Sequence, residues 1–238
     1  MLNTGRFIWR AHAKESEHPD LAKKNGFWSQ LLEKNGYTTY MSGKWHVKID
    51  PAEIFTHVVH PRPGMPNQTN EGYNRPTEGE LDVWSPYDQS FEGFWKDGKH
   101  WSEVLADDAE GFLENASKDD KPFFMYLAFN APHDPRQAPK RFVDMYPEES
   151  ILVPSSYMPE YPYSEEIGAG RKLRDEKLAP FPRSEYSVRV NRQEYYAIIS
   201  HMDEQIGRIL DALERAGRRT IRIFSSRRTM DSLAETTV

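Results

Sequence analysis

Apolar residues recur along this chain in two rhythms, and their order predicts a mixed architecture. Phe27 to Lys34 has the spacing of a short helix, ended by Asn35-Gly36, where glycine takes the left-handed conformation that closes a helix. Tyr37 to Met41 is β-prone and leads into Gly43-Lys44-Trp45-His46. Ser102 to Ala116 is amphipathic, with Val104, Leu105, Phe112, Leu113 and Ala116 on or near one face and Ser102 as its expected cap. After the polar turn Lys118-Asp119-Asp120-Lys121 comes Pro122 to Phe129, a nearly unbroken apolar run that reads as a strand buried on both faces of a parallel sheet. The longest helix is expected from Asn191 to Ala216. There Tyr195, Ile199, Met202, Ile206, Ile209 and Leu213 recur at three- and four-residue steps, and Gly217 is the stop. Helix then strand, twice over, predicts an α/β sandwich around a mainly parallel sheet. Two long Pro- and Gly-rich segments, His57 to Gly98 and Pro132 to Arg189, are expected to frame a pocket.

Composition narrows the partners. The 238 residues suffice for a substantial core, and 37% hydrophobic with 13% aromatic residues is globular, while 29% charged residues implies long polar loops. A net charge of −6 gives no electrostatic reason to bind nucleic acid or an anionic membrane. No apolar run is long enough to span a bilayer, and the first ten residues lack the apolar stretch of a signal peptide. With no cysteine, disulfides, thiolate metal sites and cysteine nucleophiles are excluded for this chain, and redox state gives no clue to its compartment.

The candidate chemistry sits just after the predicted strands. Strand alternation would send Lys44 and His46 to one side, and a fixed cation beside a proton donor suits a tetrahedral oxyanion such as sulfate or phosphate. The competing reading is a solvated lysine and a histidine packed at a strand end. In Asn130-Ala131-Pro132-His133-Asp134-Pro135, His133 follows the hydrophobic strand directly, where open parallel sheets bind ligands. A rigid turn carrying a surface histidine would look the same. His201, near Asp203 on the long helix, reads as a helix-surface or packing residue. His57, His60 and His100 are loop residues with no demanding spacing.

Three elements coincide in order: Gly-Lys-Trp-His after a Gly-Tyr-Thr-Thr strand, Pro122 to His133, and Tyr195 to Leu210. Together they closely resemble the formylglycine-dependent sulfatases of the alkaline-phosphatase-like superfamily, over about Leu2 to Gly217. The stretch Asn130 to Pro139 and the loop around Leu173 to Lys177 look most like bacterial arylsulfatase and choline-sulfatase-type members. The resemblance implies an alkaline-phosphatase-like α/β/α sandwich with a mainly parallel central sheet, here incomplete, and hydrolysis of sulfate esters, small-molecule or glycan. It matches Lys44 to the family lysine that contacts sulfate and formylglycine, and His46 to the histidine that hydrogen-bonds the formylglycine hydroxyl. His133 matches the histidine that binds sulfate and helps protonate the leaving oxygen. It also implies calcium as the family metal, in a Lewis-acid role. Family members are often periplasmic or secreted.

The departures are as informative. The paired aspartates and the Cys-x-Pro-Ser-Arg motif, or its serine variant, with which sulfatases open are not in this sequence. Residues 1–217 are therefore read as a partial catalytic domain that resembles the family from just after its nucleophile. Residues 218–238 do not spell the family's metal-binding strand. Read one base early, however, Thr229-Met230-Asp231-Ser232-Leu233 permits Asp-His-Gly-Leu-Ala, and every position from Thr220 to Val238 permits the family residue. The tail is thus expected to be out-of-frame translation beginning near Arg218, with no metal bound by this chain. A pseudoenzyme binding sulfated ligands, or a phosphodiesterase or phosphonate hydrolase of the same superfamily, are the other readings.

Overall fold

The computed structural model describes residues 2–7, 18–64, 66 and 69–217. The tail 218–238, and with it the expected reading-frame slip, lies outside the described residues. In chain order the helices are α1 (His18–Lys23), α2 (Trp28–Lys34), α3 (Trp101–Ser117), α4 (Lys140–Val143) and α5 (Glu185–Arg215). The strands are β1 (Thr38–Lys44), β2 (His57–Arg62), β3 (Trp95–Lys96), β4 (Lys99–His100) and β5 (Phe123–Ala128). The described residues form two compact units. Of the described residues, one unit draws on those within 2–64, 103–130 and 206–217, the other on those within 66–102 and 131–205.

The first unit is a parallel sheet in the order β2-β1-β5. Its side chains alternate between two helical layers, as the pleat requires. Met41, Phe124 and Tyr126 join Ala22, Phe27, Ile54 and Phe55 on the α1/α2 face, whereas Tyr40, Phe123, Met125 and Leu127 meet Phe112 and Ala116 of α3 on the other. This is the α/β/α layering expected from the sequence. Two faces to cover explain the unbroken apolar run of β5. That strand is only half-buried along its length because it is an edge of the sheet among the described residues, whereas β1, paired on both sides, is buried at five consecutive positions.

Local sequence accounts for the element ends. Gln30 folds its side chain back to accept the Phe27 N–H at 3.3 Å, half of a capping box. At the other end of α2, Tyr37 N–H reaches Leu32 O and Gly36 N–H reaches Glu33 O, the paired closure that Gly36, at φ 85°, allows. Two boundaries differ from expectation. Ser102 does not cap α3: the ring Nδ1 of buried His100 accepts the Ser102 N–H at 3.1 Å, so a histidine does the work expected of the serine. Helix α5 begins at Glu185, six residues before Asn191, because Ser184 Oγ accepts the Ser187 N–H at 3.0 Å.

The second unit packs Phe94, Ala131, Ala138, Phe142, Val143, Ala197 and Ile198 into one core beside the short β3–β4 hairpin. Its loops are tied to α5 by charge. Arg75, on the long segment after β2, donates Nη1 to Glu194 Oε2 at 2.9 Å and Nη2 to Asp82 Oδ2 at 2.6 Å, and its guanidinium lies 4.6 Å from the Trp84 ring centroid. Burial pulls the Arg75 guanidinium down, but Glu194 and Asp82 more than offset this and hold it above its ordinary value. Arg136 approaches the same Glu194 and donates to Asn191.

Candidate active site

The carboxyl ends of three parallel strands gather the first unit's polar groups, the place where open α/β sheets bind ligands. Lys44 closes β1 and is paired in register with Arg62, the last residue of β2. Residues so paired on adjacent parallel strands stand about 4.8 Å apart and project from the same face. Two cations therefore share one edge. Burial lowers the Arg62 guanidinium and the nearby Asp108 carboxylate offsets part of that, which leaves it a cation at any physiological pH.

The close approach of strands at this edge is set by Gly43, at φ 94°. A Cβ there would lie 2.0 Å from the Ala128 carbonyl oxygen and 3.0 Å from Leu105 Cδ1. Behind Lys44, Trp45 turns to the opposite face. Its ring sits between Phe55 and Tyr126, and its Nε1–H donates to Ile49 O at 2.8 Å. β1 ends at Lys44, so His46 lies two residues beyond the strand and before the bend at 47–49, where alternation no longer fixes its direction. Exposed His46 instead rests its ring against Gly64, where a Cβ would come within 3.0 Å of the imidazole. The Asn130 side-chain amide fixes that neighbour, donating to both Pro63 O and Gly64 O at 3.1 Å.

His133 belongs to the second unit. Its Nδ1 lies 2.7 Å from Asp134 Oδ1 and 3.0 Å from the Asp134 carbonyl, and the ring is 13% exposed. A carboxylate only accepts, so the Asp134 side chain orients the His133 ring through Nδ1. Asp134 was thus a missed partner, although its adjacency to His133 was visible in the sequence.

The other histidines divide by environment. His57 lies on β2 with its ring stacked 4.8 Å from Tyr40, and His60 contacts Asp108. His100 and His201 are fully buried, with ring centroids 4.5 Å apart, and His201 also packs on Phe142. The packing role expected for His201 is therefore a core role. Burial pushes its pKa down to about 4, with Glu204 opposing and Arg141 reinforcing the shift. An unfolded chain takes up this proton near pH 6.5, the folded chain only near pH 4. Between those values unfolding binds a proton, so stability falls as pH falls, by on the order of 3 kcal/mol across the window. Urea unfolding at pH 7 and pH 4.5 measures this. His201→Asn should flatten the dependence, and an unchanged slope would refute the assignment.

The sulfatase family is generally metal-dependent. Among the described residues no group of three His, Asp or Glu side chains is gathered as an ion would need, so they do not fit the calcium ion that the resemblance implies.

The described part of the first unit is thus a parallel α/β sheet with Lys44 and Arg62 side by side at its carboxyl edge. The family follows from comparison: the Sulfatase family model matches residues 10–226, and the chain belongs to that family. It is 27% identical over 207 residues to an ulvan-active sulfatase of Formosa agariphila, covering 83% of this chain and 34% of that protein. It is 27% identical to an arylsulfatase of Klebsiella aerogenes, covering 80% and 44%, and 27% identical to a choline-sulfatase of Rhizobium meliloti, covering 77% and 38%. The chain thus spans between a third and a half of the length of these relatives. No helix among the described residues is long and apolar enough to cross a membrane.

Proposed function

We propose that this chain carries the cationic part of a sulfate-ester site in a sulfatase-type hydrolase. The observation behind this is the Lys44–Arg62 register pair at the carboxyl edge of the sheet. Two fixed donors of positive charge suit the three terminal oxygens of a sulfate monoester, which carry one negative charge and offer only acceptors. Exposed His46, two residues beyond Lys44, is the proton-handling group toward the nucleophile. His133, oriented by Asp134, is the acid for the leaving oxygen. These two roles rest on the family resemblance, and so does calcium with a formylglycine nucleophile. The sequence contains no Cys-x-Pro-Ser-Arg motif or serine variant, so this chain on its own is proposed to bind sulfate esters without turning them over.

The relatives are named for ulvan, aryl and choline sulfates, and all three ester types are proposed substrates of the family member to which this chain corresponds. Calorimetric titration with p-nitrophenyl sulfate and bis(p-nitrophenyl) phosphate, a sulfate monoester and a phosphodiester that each carry one negative charge, tests the reading. Lys44→Ala and Arg62→Ala should each weaken sulfate-ester binding roughly 10-fold or more, the worth of one charge-assisted contact. His57→Ala should leave it unchanged. Equal affinity in Lys44→Ala and the parent would overturn the proposal, and preference for the phosphate would favour the phosphodiesterase branch of the superfamily.

A further inference from the structure

The β1–β2 ladder runs in register from Tyr40↔His57 to Ser42↔Val59 and then jumps to Gly43↔Pro61, so His60 is an extra residue bulged out of β2. Bulges of this kind re-aim a side chain, often beside a binding site. His60 also holds φ 45°, a conformation that L-residues mostly leave to glycine and asparagine. Its ring is clamped: Nδ1 lies 2.9 Å and 3.0 Å from the two oxygens of Asp108 on α3. The Asp108 side chain is 10% exposed, the His60 side chain 58%. The same carboxylate accepts Ser42 Oγ–H at 2.6 Å, and it faces Arg62. Ser42 is two residues before Lys44 on β1, and Arg62 is two residues after His60 on β2. One carboxylate therefore binds the His60 ring into the cationic edge already described.

The clamp sets the chemistry of the free end of the ring. A carboxylate only accepts, so Nδ1 carries a proton, and when the ring holds that proton alone Nε2 presents a lone pair on the exposed side of the ring. A sulfate group offers acceptors only and gives that lone pair nothing. A hydroxyl on the alcohol half of the ester does. We infer that His60, positioned by Asp108, is a specificity-determining residue whose Nε2 accepts a hydrogen bond from a substrate hydroxyl, selecting polyhydroxylated (carbohydrate) sulfate esters over hydroxyl-free ones. This rests on the sulfate site proposed at Lys44 and Arg62 and adds the recognition of the alcohol half to it.

The test is calorimetric titration of the full chain with glucose 6-sulfate and with ethyl sulfate, which lacks a hydroxyl. His60→Gly suits a φ of 45° and removes only the ring. It should weaken glucose 6-sulfate roughly 10-fold while moving ethyl sulfate less than about 2-fold, as expected when a site loses a hydrogen bond to a hydroxyl. Lys44→Ala should weaken both ligands. If His60→Gly weakens both equally, the ring contacts the sulfate itself and the inference is overturned; if it weakens neither, the ring contacts nothing and the inference falls equally. If Lys44→Ala leaves ethyl sulfate binding untouched, the underlying sulfate site is wrong instead. A second readout needs no ligand: the ¹⁵N imidazole spectrum should show His60 as the Nδ1–H tautomer, reverting toward Nε2–H in Asp108→Ala. An Nε2–H ring in the parent chain would also overturn the inference.

Discussion

Gly43→Ala should cost the first unit at least 3 kcal/mol, whereas Gly36→Ala should cost about 1 kcal/mol. Both glycines have positive φ, 94° and 85°, so both substitutions incur the left-handed penalty. They differ in what the new methyl meets. Beyond Gly36 there is nothing within 4 Å, but at Gly43 the Cβ would fall 2.0 Å from the Ala128 carbonyl oxygen. That oxygen is backbone of a paired strand and cannot swing aside as a flexible side chain would. Strands β1 and β5 would have to part at the Gly43↔Ala128 pair, next to Lys44. A loss of this size is a large fraction of a typical domain's 5–15 kcal/mol. Denaturant unfolding of the two variants checks it, and similar losses for both would show that the clash is relieved at little cost.

Glu194→Ala is expected to be equally severe for the second unit, at roughly 3–5 kcal/mol. Glu194 is 2% exposed and takes a two-pronged contact from Arg75, with Oε1 2.7 Å from Nη2 and Oε2 2.9 Å from Nη1. Removing it leaves the buried Arg75 and Arg136 with less opposing charge, and the lost balance, more than the lost contact, sets the size of the effect. Two variants separate these contributions. Glu194→Gln keeps the shape and one acceptor but turns the other oxygen into an NH2 that faces a guanidinium N–H, and it should still lose less than Glu194→Ala. Arg75→Met combined with Glu194→Met removes both charges and should be milder than Glu194→Ala alone. A double variant worse than the sum of its single changes would refute the charge-balance account. The readout is again urea unfolding, followed by a probe of the second unit such as Trp84 or Trp95 fluorescence.

The sequence made the layers legible because they depend on periodicity. The run of β5, the stripe on α5 and the stop at Gly36 each come from a local pattern that the packing then uses unchanged. The site was legible only in part. Lys44 was found because it follows a recognisable strand, but Arg62 was missed because His-Pro-Arg-Pro reads as loop. Its pairing with Lys44 is a matter of register, and register here passes through a bulge that no local pattern announces. Asp108 was hidden for the opposite reason: beside Asp107 on an amphipathic helix it looks like part of a solvated face, and only the strands beneath show that it turns inward. His46 lies two residues past the end of β1, where strand alternation no longer fixes its direction relative to Lys44. The start of α5 at Glu185 was signalled by an ordinary serine cap, Ser184, but the prolines before it made that stretch look continuous with the preceding loop.

The Asn130 amide bears on how firmly this edge is built. Backbone ladders end at Lys44, Arg62 and Ala128, so beyond those residues nothing periodic spaces the three departing chains. By donating to two consecutive carbonyls after β2, a side chain at the end of β5 fastens the two outer strands to each other across the end of the middle one. It acts as a lintel. With Gly43 holding β1 close to β5 and Trp45 N–H donating to Arg62 O at 2.8 Å, this amide ties the outer chains together without adding another strand.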